Sequence, residues 1–545
     1  MIIPGDKNQT LPRSGKGGEK AREAPRLNDL RRYVPRAVWA VVVLTLLLIP
    51  FKLIVFGYAP PDDVLRHAAK AVSGKPWADL LVLNPVYQLD HEFGWDLLLA
   101  KIHGVGANAE VLVVFSVVSL FILVGLAVLP WLRYPETWLA ALALGMVTER
   151  MPWRLVLGQP DLITLAALLS LLLLWRRFGP APPRAWMAGL MTGLVAASVY
   201  LQGAWYWWAL PAAAFFCARQ LRWGWVFAGC AAAGVLIGGA LTGHPLAYPV
   251  QAYRLALLCV RAHESQLPID PELQPLTGDV NGLFILGGLL LLRRLAGLNA
   301  MPFLRDPVFW LVCLCWILGF SAGRFWFNWG CPALMVLVIC DLQLLLDLRV
   351  QKTDFRRLAL AGGLALVTFL SITSDIDRHW TSAMIARFPL EANDPGMQGW
   401  LPEKGGIYYS ADQRLFYETF YQHPQGDWRY LLGFEPAWMP AEDVQVYQSV
   451  IQNWEDPKRY EPWVKRMLLA DRLAIRGDQG TPPAIPQLEW KFSASGVWFG
   501  RVPGDHLKST PPTIRATEPL ATATNPALDN GQVFPPNPAP APKEF

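Results

Sequence analysis

Apolar runs of roughly 15 to 22 residues recur along this chain, the length that carries a helix across a bilayer, and no other feature restricts its architecture as strongly. A soluble chain of this size carries more charge and divides into several cores. Here, among 545 residues, 53% are hydrophobic and only 17% charged. The expected fold class is an α-helical polytopic membrane protein with about 11 transmembrane helices. The spans fall near 37–57, 110–131, 136–149, 161–175, 185–201, 203–218, 223–242, 281–296, 307–321, 325–345 and 357–374.

The basic residues orient these spans. Residues 1–36 hold nine Lys/Arg, show no apolar periodicity and read as a disordered basic cytoplasmic tail. The run after Arg36 has a long basic flank, a long apolar core and no small-residue cleavage site, so it reads as a retained first helix rather than a signal peptide. Arg133, Arg176, Arg177, Arg184, Arg219, Arg222, Arg293, Arg294, Arg305, Arg349, Lys352, Arg356 and Arg357 all fall on the side of that tail, which the positive-inside rule makes cytoplasmic. The formal charge of +5 therefore serves topology, and no nucleic-acid partner is expected. The outer side receives the loop 58–109, a turn at 150–160, the loop 243–280 and everything after 374. A multi-pass inner-membrane protein with its C-terminal domain outside is the expected location.

The seven cysteines lie in or near spans, without metal-ligand spacing, and read as small buried thiols. The first outer loop is more informative. Val64, Leu65, Ala68, Ala69 and Val72 recur at helical spacing and Gly74 is placed to end that helix, with Asp62 and Asp63 at its N-terminus. One aspartate is accounted for as a cap; capping does not need two. A second amphipathic segment, 93–104, predicts another helix, and the two together would form a platform at the membrane surface.

Asp63, Arg66, His67 and Ala68, just beyond the first span, resemble the first outer loop of the GT-C class of integral-membrane glycosyltransferases. The closest pattern is that of the protein O-mannosyltransferases and lipid A aminoarabinose transferases. Their loop opens Asp-Glu, followed by Arg or His, an aromatic and Ala; this chain differs at Val64 and His67. The resemblance covers residues 37–374 and implies a GT-C-like transmembrane domain. It also implies an enzyme that moves a hexosyl or pentosyl group from a polyprenyl-phosphate donor to a lipid, glycan or protein acceptor at the outer face. Asp63 takes the family's catalytic position.

Other residues fit such a site. TERMPWRLVLGQPD, 148–161, puts Glu149, Arg150, Arg154, Gln159 and Asp161 at the outer membrane edge, where ionisable groups face a cavity or one another. They would either close a helical hairpin as a structural Glu–Arg pair or line a pocket for sugar and phosphate. In the resembling families an acid from this loop assists, which makes Glu149 a catalytic candidate, and Arg150 or Arg154 would bind phosphate as a planar fork. Arg324, alone between two apolar spans, is either an interfacial anchor or a ligand of the carrier phosphate. His244 belongs to a loop, with Arg261, His263 and Glu264, that would cover the site. HEXXH is absent, so no zinc site is assigned; the carboxylates would accept a divalent metal, which the class does not require.

Residues 375–503 mix charge with aromatics and predict a small α+β domain, with a strand at IYYS followed by a helix rich in Phe and Tyr. Those aromatics would form a core or stack on sugar rings. Residues 504–545, rich in Pro, Thr, Ala and Asn, read as a disordered tail. In the implied reaction Asp63 is the general base, Asp62 or Glu149 positions the acceptor or a metal, and Arg324 neutralises the departing phosphate. Arg66, His67, Arg150, Arg154, Gln159, Asp161 and His244 would contact substrate. Two other classes stay open: a flippase of a lipid-linked saccharide, which would show an internal repeat not visible here, and a non-catalytic scaffold of a polysaccharide assembly system.

Overall fold

The computed structural model describes residues 31–58, 60, 63–84, 89–90, 92–148, 151–179, 183–254, 275–276, 280–297, 301–350, 353–375, 395–453, 455–493 and 495–504. Asp62, Glu149 and Arg150 lie outside them, as do Arg261, His263, Glu264 and most of both predicted tails. From Pro503 the chain belongs to a second unit, of which only Pro503 and Gly504 are described.

The chain runs α1 (Val34–Val55), α2 (Asp63–Ser73), α3 (Phe93–Gly104), α4 (Ala109–Val128), α5 (Glu136–Gly145), α6 (Asp161–Phe178), α7 (Ala185–Gln202), α8 (Ala209–Cys217), α9 (Leu221–Leu241), α10 (Val280–Leu295), α11 (Pro307–Gly319), α12 (Cys331–Arg349) and α13 (Phe355–Thr373). Helix thus occupies each of the eleven apolar segments. Six helical stretches among the described residues are long and apolar enough to cross a membrane: Val34–Val55, Ala109–Trp131, Ala185–Gln202, Leu221–Leu241, Gly323–Arg349 and Phe355–Thr373. The others are shorter, such as the 13-residue α11, or carry charge, as α6 does through Asp161, Arg176 and Arg177. Helix length and composition therefore support six crossings of a polytopic membrane protein, and eleven remains the sequence expectation.

Several of the arginines that orient the chain are engaged in ion pairs. Arg357 and Glu136 are both buried, with Arg357 Nη2 donating to Glu136 Oε2 at 3.0 Å. They join α13 to α5, while α13 also packs along α1. Arg176 pairs with Asp306, and Arg293 with Asp341. A guanidinium taken out of water needs such a partner. Cys230, Cys315 and Cys331 are buried free thiols, as their position in apolar runs predicts, whereas Cys217 is exposed.

After α13 the chain forms a small mixed domain. Its five strands are β1 (Ile407–Ser410), β2 (Arg429–Tyr430), β3 (Arg472–Arg476), β4 (Glu489–Ser493) and β5 (Val497–Arg501), in the order β2-β1-β3-β5-β4. β1 is parallel to β2 and β3; the pairs β3–β5 and β5–β4 are antiparallel. The helices α14 (Gln413–Gln422) and α15 (Ala441–Gln452) pack with the sheet, through Phe416 and Phe420 beside Tyr408 and through Tyr447 and Val450 beside Tyr409. Tyr408, Tyr409, Phe416, Phe420 and Tyr430 are buried, so these aromatics are core.

The segment between α1 and α4 and this domain are joined. Leu81 bridges to Tyr430 at the sheet edge, and Val82 N donates to Tyr430 O at 2.9 Å. Lys75 Nζ reaches Asp427 at 3.0 Å. As a result α2 is enclosed by α3, α4 and α14. Its length matches the sequence pattern, with Gly74 ending it at φ +63°, but its place does not. Val64, Leu65, Arg66, His67, Ala68 and Ala69 are all buried, so α2 is an interior helix and not one lying on lipid. The C-terminal domain covers the face that the isolated loop would leave open.

Candidate active site

Helical spacing puts Asp63, Arg66 and His67 on one side of α2, at i, i+3 and i+4. Arg66 is the hub. Its Nε donates to Asp63 Oδ1 at 3.1 Å and its Nη2 to Glu92 Oε2 at 2.6 Å. Its guanidinium lies 3.9 Å from the centre of the Phe434 ring, contributed by the C-terminal domain. Arg66 is 1% exposed, and its Nη1 is buried without a hydrogen-bond partner among the described residues. Asp63, by contrast, keeps 28% of its side chain exposed.

His67 is sealed in beside Arg66. Its Nδ1 lies 2.6 Å from Asp96 Oδ1 and its Nε2 3.1 Å from Arg66 Nη2. Arginine can only donate, so Nε2 accepts and Nδ1 carries the proton given to Asp96. Burial first, then the Arg66 charge, lowers the imidazole to about 4, which keeps it neutral at physiological pH.

Three carboxyls come from α3 and the residues just before it. Asp90 and Glu92 precede α3 and Asp96 lies in its first turn. Asp90 Oδ1 accepts from Glu92 N at 3.0 Å. The backbone of Leu89 is held on both sides by Gln251, whose Oε1 accepts at 3.1 Å and whose Nε2 donates at 2.7 Å. Burial, the Asp96 charge and a hydrogen bond between the two carboxyls raise Asp90 to about 7. Burial raises Asp96 to about 6, with the Arg66 charge acting against it. Glu92 is raised by burial in spite of Arg66. Asp63 goes the other way. Burial pushes its carboxyl up, but Arg66 and a hydrogen bond from Tyr417 outweigh that and hold it below the usual carboxylate range. Tyr417 belongs to α14, and its hydroxyl oxygen accepts from Gln413 Nε2 at 3.0 Å.

A second polar site lies among the helices. Asp161, Thr164, Gln202, Trp207, Arg324 and Asn328 are among the residues lining a small polar cleft. Arg154 Nη2 pairs with Asp161 Oδ2 at 3.4 Å. The stretch Trp326–Gly330 is π-helical, and the extra residue in that turn changes the direction in which Asn328 and Trp329 project. An apolar groove runs between α1, α4 and α5, lined by Leu46, Leu47, Phe121, Gly125, Trp138 and Leu142, and by Leu155 next to Arg154. Gly158, at φ +72°, brings the turn after Arg154 against α2: a Cβ there would lie 3.1 Å from Val64 Cγ2 and 3.1 Å from Val117 N.

Of the residues singled out in the sequence, Asp63, Arg66 and His67 meet in the first cluster, while Asp161 and Arg324 line the cleft and Arg154 pairs with Asp161 beside it. Gln159 stands just before α6, its carbonyl accepting from Leu162 N at 3.2 Å. His244 is exposed in the turn after α9 and belongs to neither cluster. Asp90, Glu92, Asp96, Tyr417, Gln202 and Asn328 were not anticipated. The first three had a signal, acids spaced just before and within the predicted helix 93–104; Tyr417 had none. Among the described residues no group of three or more His, Cys, Asp or Glu side chains is arranged to hold a metal ion.

No protein-family model matches the chain and no curated protein matches it. Among solved structures it is similar to the crystal structure of the Archaeoglobus fulgidus oligosaccharyltransferase in its apo form. The identity is 11% and the TM-score 0.45, over 84% of this chain and 70% of that one. A likeness of this degree carries no assignment of fold or function.

Proposed function

We propose that the protein is a GT-C-like membrane glycosyltransferase that moves a hexosyl or pentosyl group from a polyprenyl-phosphate donor to an acceptor at the outer face. The observation that carries this reading is the ionised, accessible Asp63 carboxylate, held by the buried Arg66 and adjoining three more carboxyls. The apolar groove and the polar cleft support an amphipathic donor, with an isoprenoid chain against Leu46, Phe121 and Trp138 and a phosphate near Arg324 and the Arg154 that pairs with Asp161 at the cleft. The arginine distribution supports a cytoplasmic N-terminal side and an outer C-terminal domain; a reporter fused after Val502 that is active in the cytoplasm would reverse that orientation.

Chemically, the acceptor oxygen attacks the anomeric carbon and gives up its hydroxyl proton to a carboxylate of the cluster, while the carbon–oxygen bond to phosphate breaks and its electron pair leaves with the phosphate. Arg324 and Arg154 offset the charge growing there. Positive charge develops at the sugar as the bond loosens. Asp63, the sequence's candidate base, is ion-paired to Arg66 and correspondingly weakly basic. It is better suited to facing that positive charge.

The test is transfer of radiolabelled sugar from a polyprenyl-phosphate donor by the purified protein in nanodiscs, with and without a chelator. Asp63→Asn should fold and lose roughly 10²-fold or more of the activity, the scale of losing one fixed electrostatic group. Near-normal transfer by a well-folded variant would remove Asp63 from catalysis. Movement of intact donor across the vesicle without cleavage would favour the flippase reading.

A further inference from the structure

We infer that Gln251 is a positioning residue of the acidic cluster: its side-chain amide clamps the backbone of Leu89 and so fixes where Glu92 meets Arg66. The role in turnover rests on the glycosyl-transfer reading; the clamp itself does not.

The stretch that brings Asp90 and Glu92 to the cluster is neither helix nor strand at Leu89 and Asp90. Backbone of that kind has no regular ladder, so its N–H and C=O groups must find partners elsewhere. One side chain serves both groups of Leu89. Leu89 N donates to Gln251 Oε1 at 3.1 Å, and Gln251 Nε2 donates to Leu89 O at 2.7 Å. The pairing also fixes the amide: turned over, it would set N–H against N–H and oxygen against oxygen. Gln251 is 8% exposed, so little water competes for these bonds.

Gln251 is itself held in place. It lies in the helical residues 247–254. There the buried Tyr248 donates its hydroxyl to Val199 O at 3.2 Å, and Pro249 O accepts from Trp205 Nε1 at 2.8 Å. α3 rests on the same part of α7: a Cβ at Gly94 would lie 2.6 Å from Tyr200 O. The end of α7 thus supports the segment that carries Gln251 and the helix that follows Glu92.

From Leu89 the constraint passes to the cluster in three hydrogen bonds. Asp90 Oδ1 accepts from Glu92 N at 3.0 Å, Glu92 Oε2 accepts from Arg66 Nη2 at 2.6 Å, and Arg66 Nε donates to Asp63 Oδ1 at 3.1 Å. The helix α2 carries Arg66 and Asp63, but the plane of the guanidinium is set by both of the carboxylates that it joins. Freeing Leu89 lets Glu92 shift, and Arg66 and the Asp63 carboxylate shift with it. Misplacing a reacting group by about 1 Å can cost up to 10²-fold in rate. Neither Leu89 nor Gln251 lines the polar cleft, so donor binding there should be untouched.

Two measurements on the full-length protein in nanodiscs test this, with Gln251→Met, which keeps the length of the side chain and removes both bonds. In hydrogen-exchange mass spectrometry, the Leu89 amide should exchange about tenfold faster, the scale of one lost hydrogen bond. Peptides from α7 and from the C-terminal sheet should exchange as in the parent. Unchanged exchange at Leu89, or faster exchange throughout the bundle, overturns the clamp. In the transfer assay, kcat should fall about tenfold with the donor KM unchanged. Glu92→Ala removes the carboxyl through which the constraint passes, so adding Gln251→Met to it should cost less than about twofold more. An equal loss in both backgrounds, or a near-normal kcat for Gln251→Met alone, overturns the positioning role. Faster exchange at Leu89 in a protein that transfers no sugar would sustain the clamp and overturn the glycosyl-transfer reading instead.

Discussion

The Tyr417 hydroxyl, on α14 of the C-terminal domain, hydrogen-bonds to the Asp63 carboxylate at the start of α2. Because that hydroxyl also accepts from Gln413, its proton is drawn toward Asp63. The C-terminal domain is therefore part of the site, and the same domain places Phe434 against Arg66.

Replacing Tyr417 with Phe should expose this dependence. The ring still fills its buried position, so the domain should remain folded. Removing a bond to the ionised form raises the Asp63 pKa. Sugar transfer should fall about tenfold, in keeping with one hydrogen bond to a charged group. An unchanged rate at all pH values would mean that Tyr417 only packs.

Arg66→Met addresses the hub. The variant retains bulk but leaves Glu92 and Asp63 without their counter-charge, a change that costs about 3–5 kcal/mol at buried pairs. Thermal unfolding in detergent should begin markedly lower than in the parent. Adding Glu92→Gln should recover part of the loss, since no buried charge then lacks a partner at that position. A wild-type melting curve for Arg66→Met would contradict the ion-pair geometry.

Arg324→Ala should weaken donor binding more than turnover at saturating donor. A phosphate contact made equally in ground and transition states contributes to binding alone. Unchanged donor affinity would make Arg324 an interfacial anchor.

Stability should also depend on pH in a defined sense. Asp90 and Asp96, raised to about 7 and about 6, contribute stability at low pH that is lost as pH rises through those values. His67, lowered to about 4, contributes stability above its ordinary pKa and loses it as pH falls toward 4. On the alkaline side, Asp90→Asn/Asp96→Asn should flatten the decline in Tm between about pH 5 and about pH 8. An identical slope in parent and double variant would place the titrating groups elsewhere.

Local pattern carried much of the fold. The helix Asp63–Ser73 and its stop at Gly74, the helix Phe93–Gly104 and the strand Ile407–Ser410 appear where periodicity and punctuation put them. Helix also forms in every apolar run. These features depend on residues close together in the chain, so a single sequence is enough to read them.

The site depended on distant residues. Asp63, Arg66 and His67 could be named because they share one helix face beside a span. Their state could not, because it depends on Glu92 and Asp96 from another segment and on Tyr417 and Phe434 from another domain. Nor does local pattern bring Gln202 and Asn328 to one cleft with Asp161. Whether a carboxyl is held ionised, as Asp63 is, or pushed toward protonation, as Asp90 is, follows from burial and neighbouring charge. The sequence alone determined a helical membrane chain with acids and an arginine outside its first span. Only the tertiary structure decided which acid faces a guanidinium and which faces another acid, because electrostatic interaction follows distance in space and not separation along the chain.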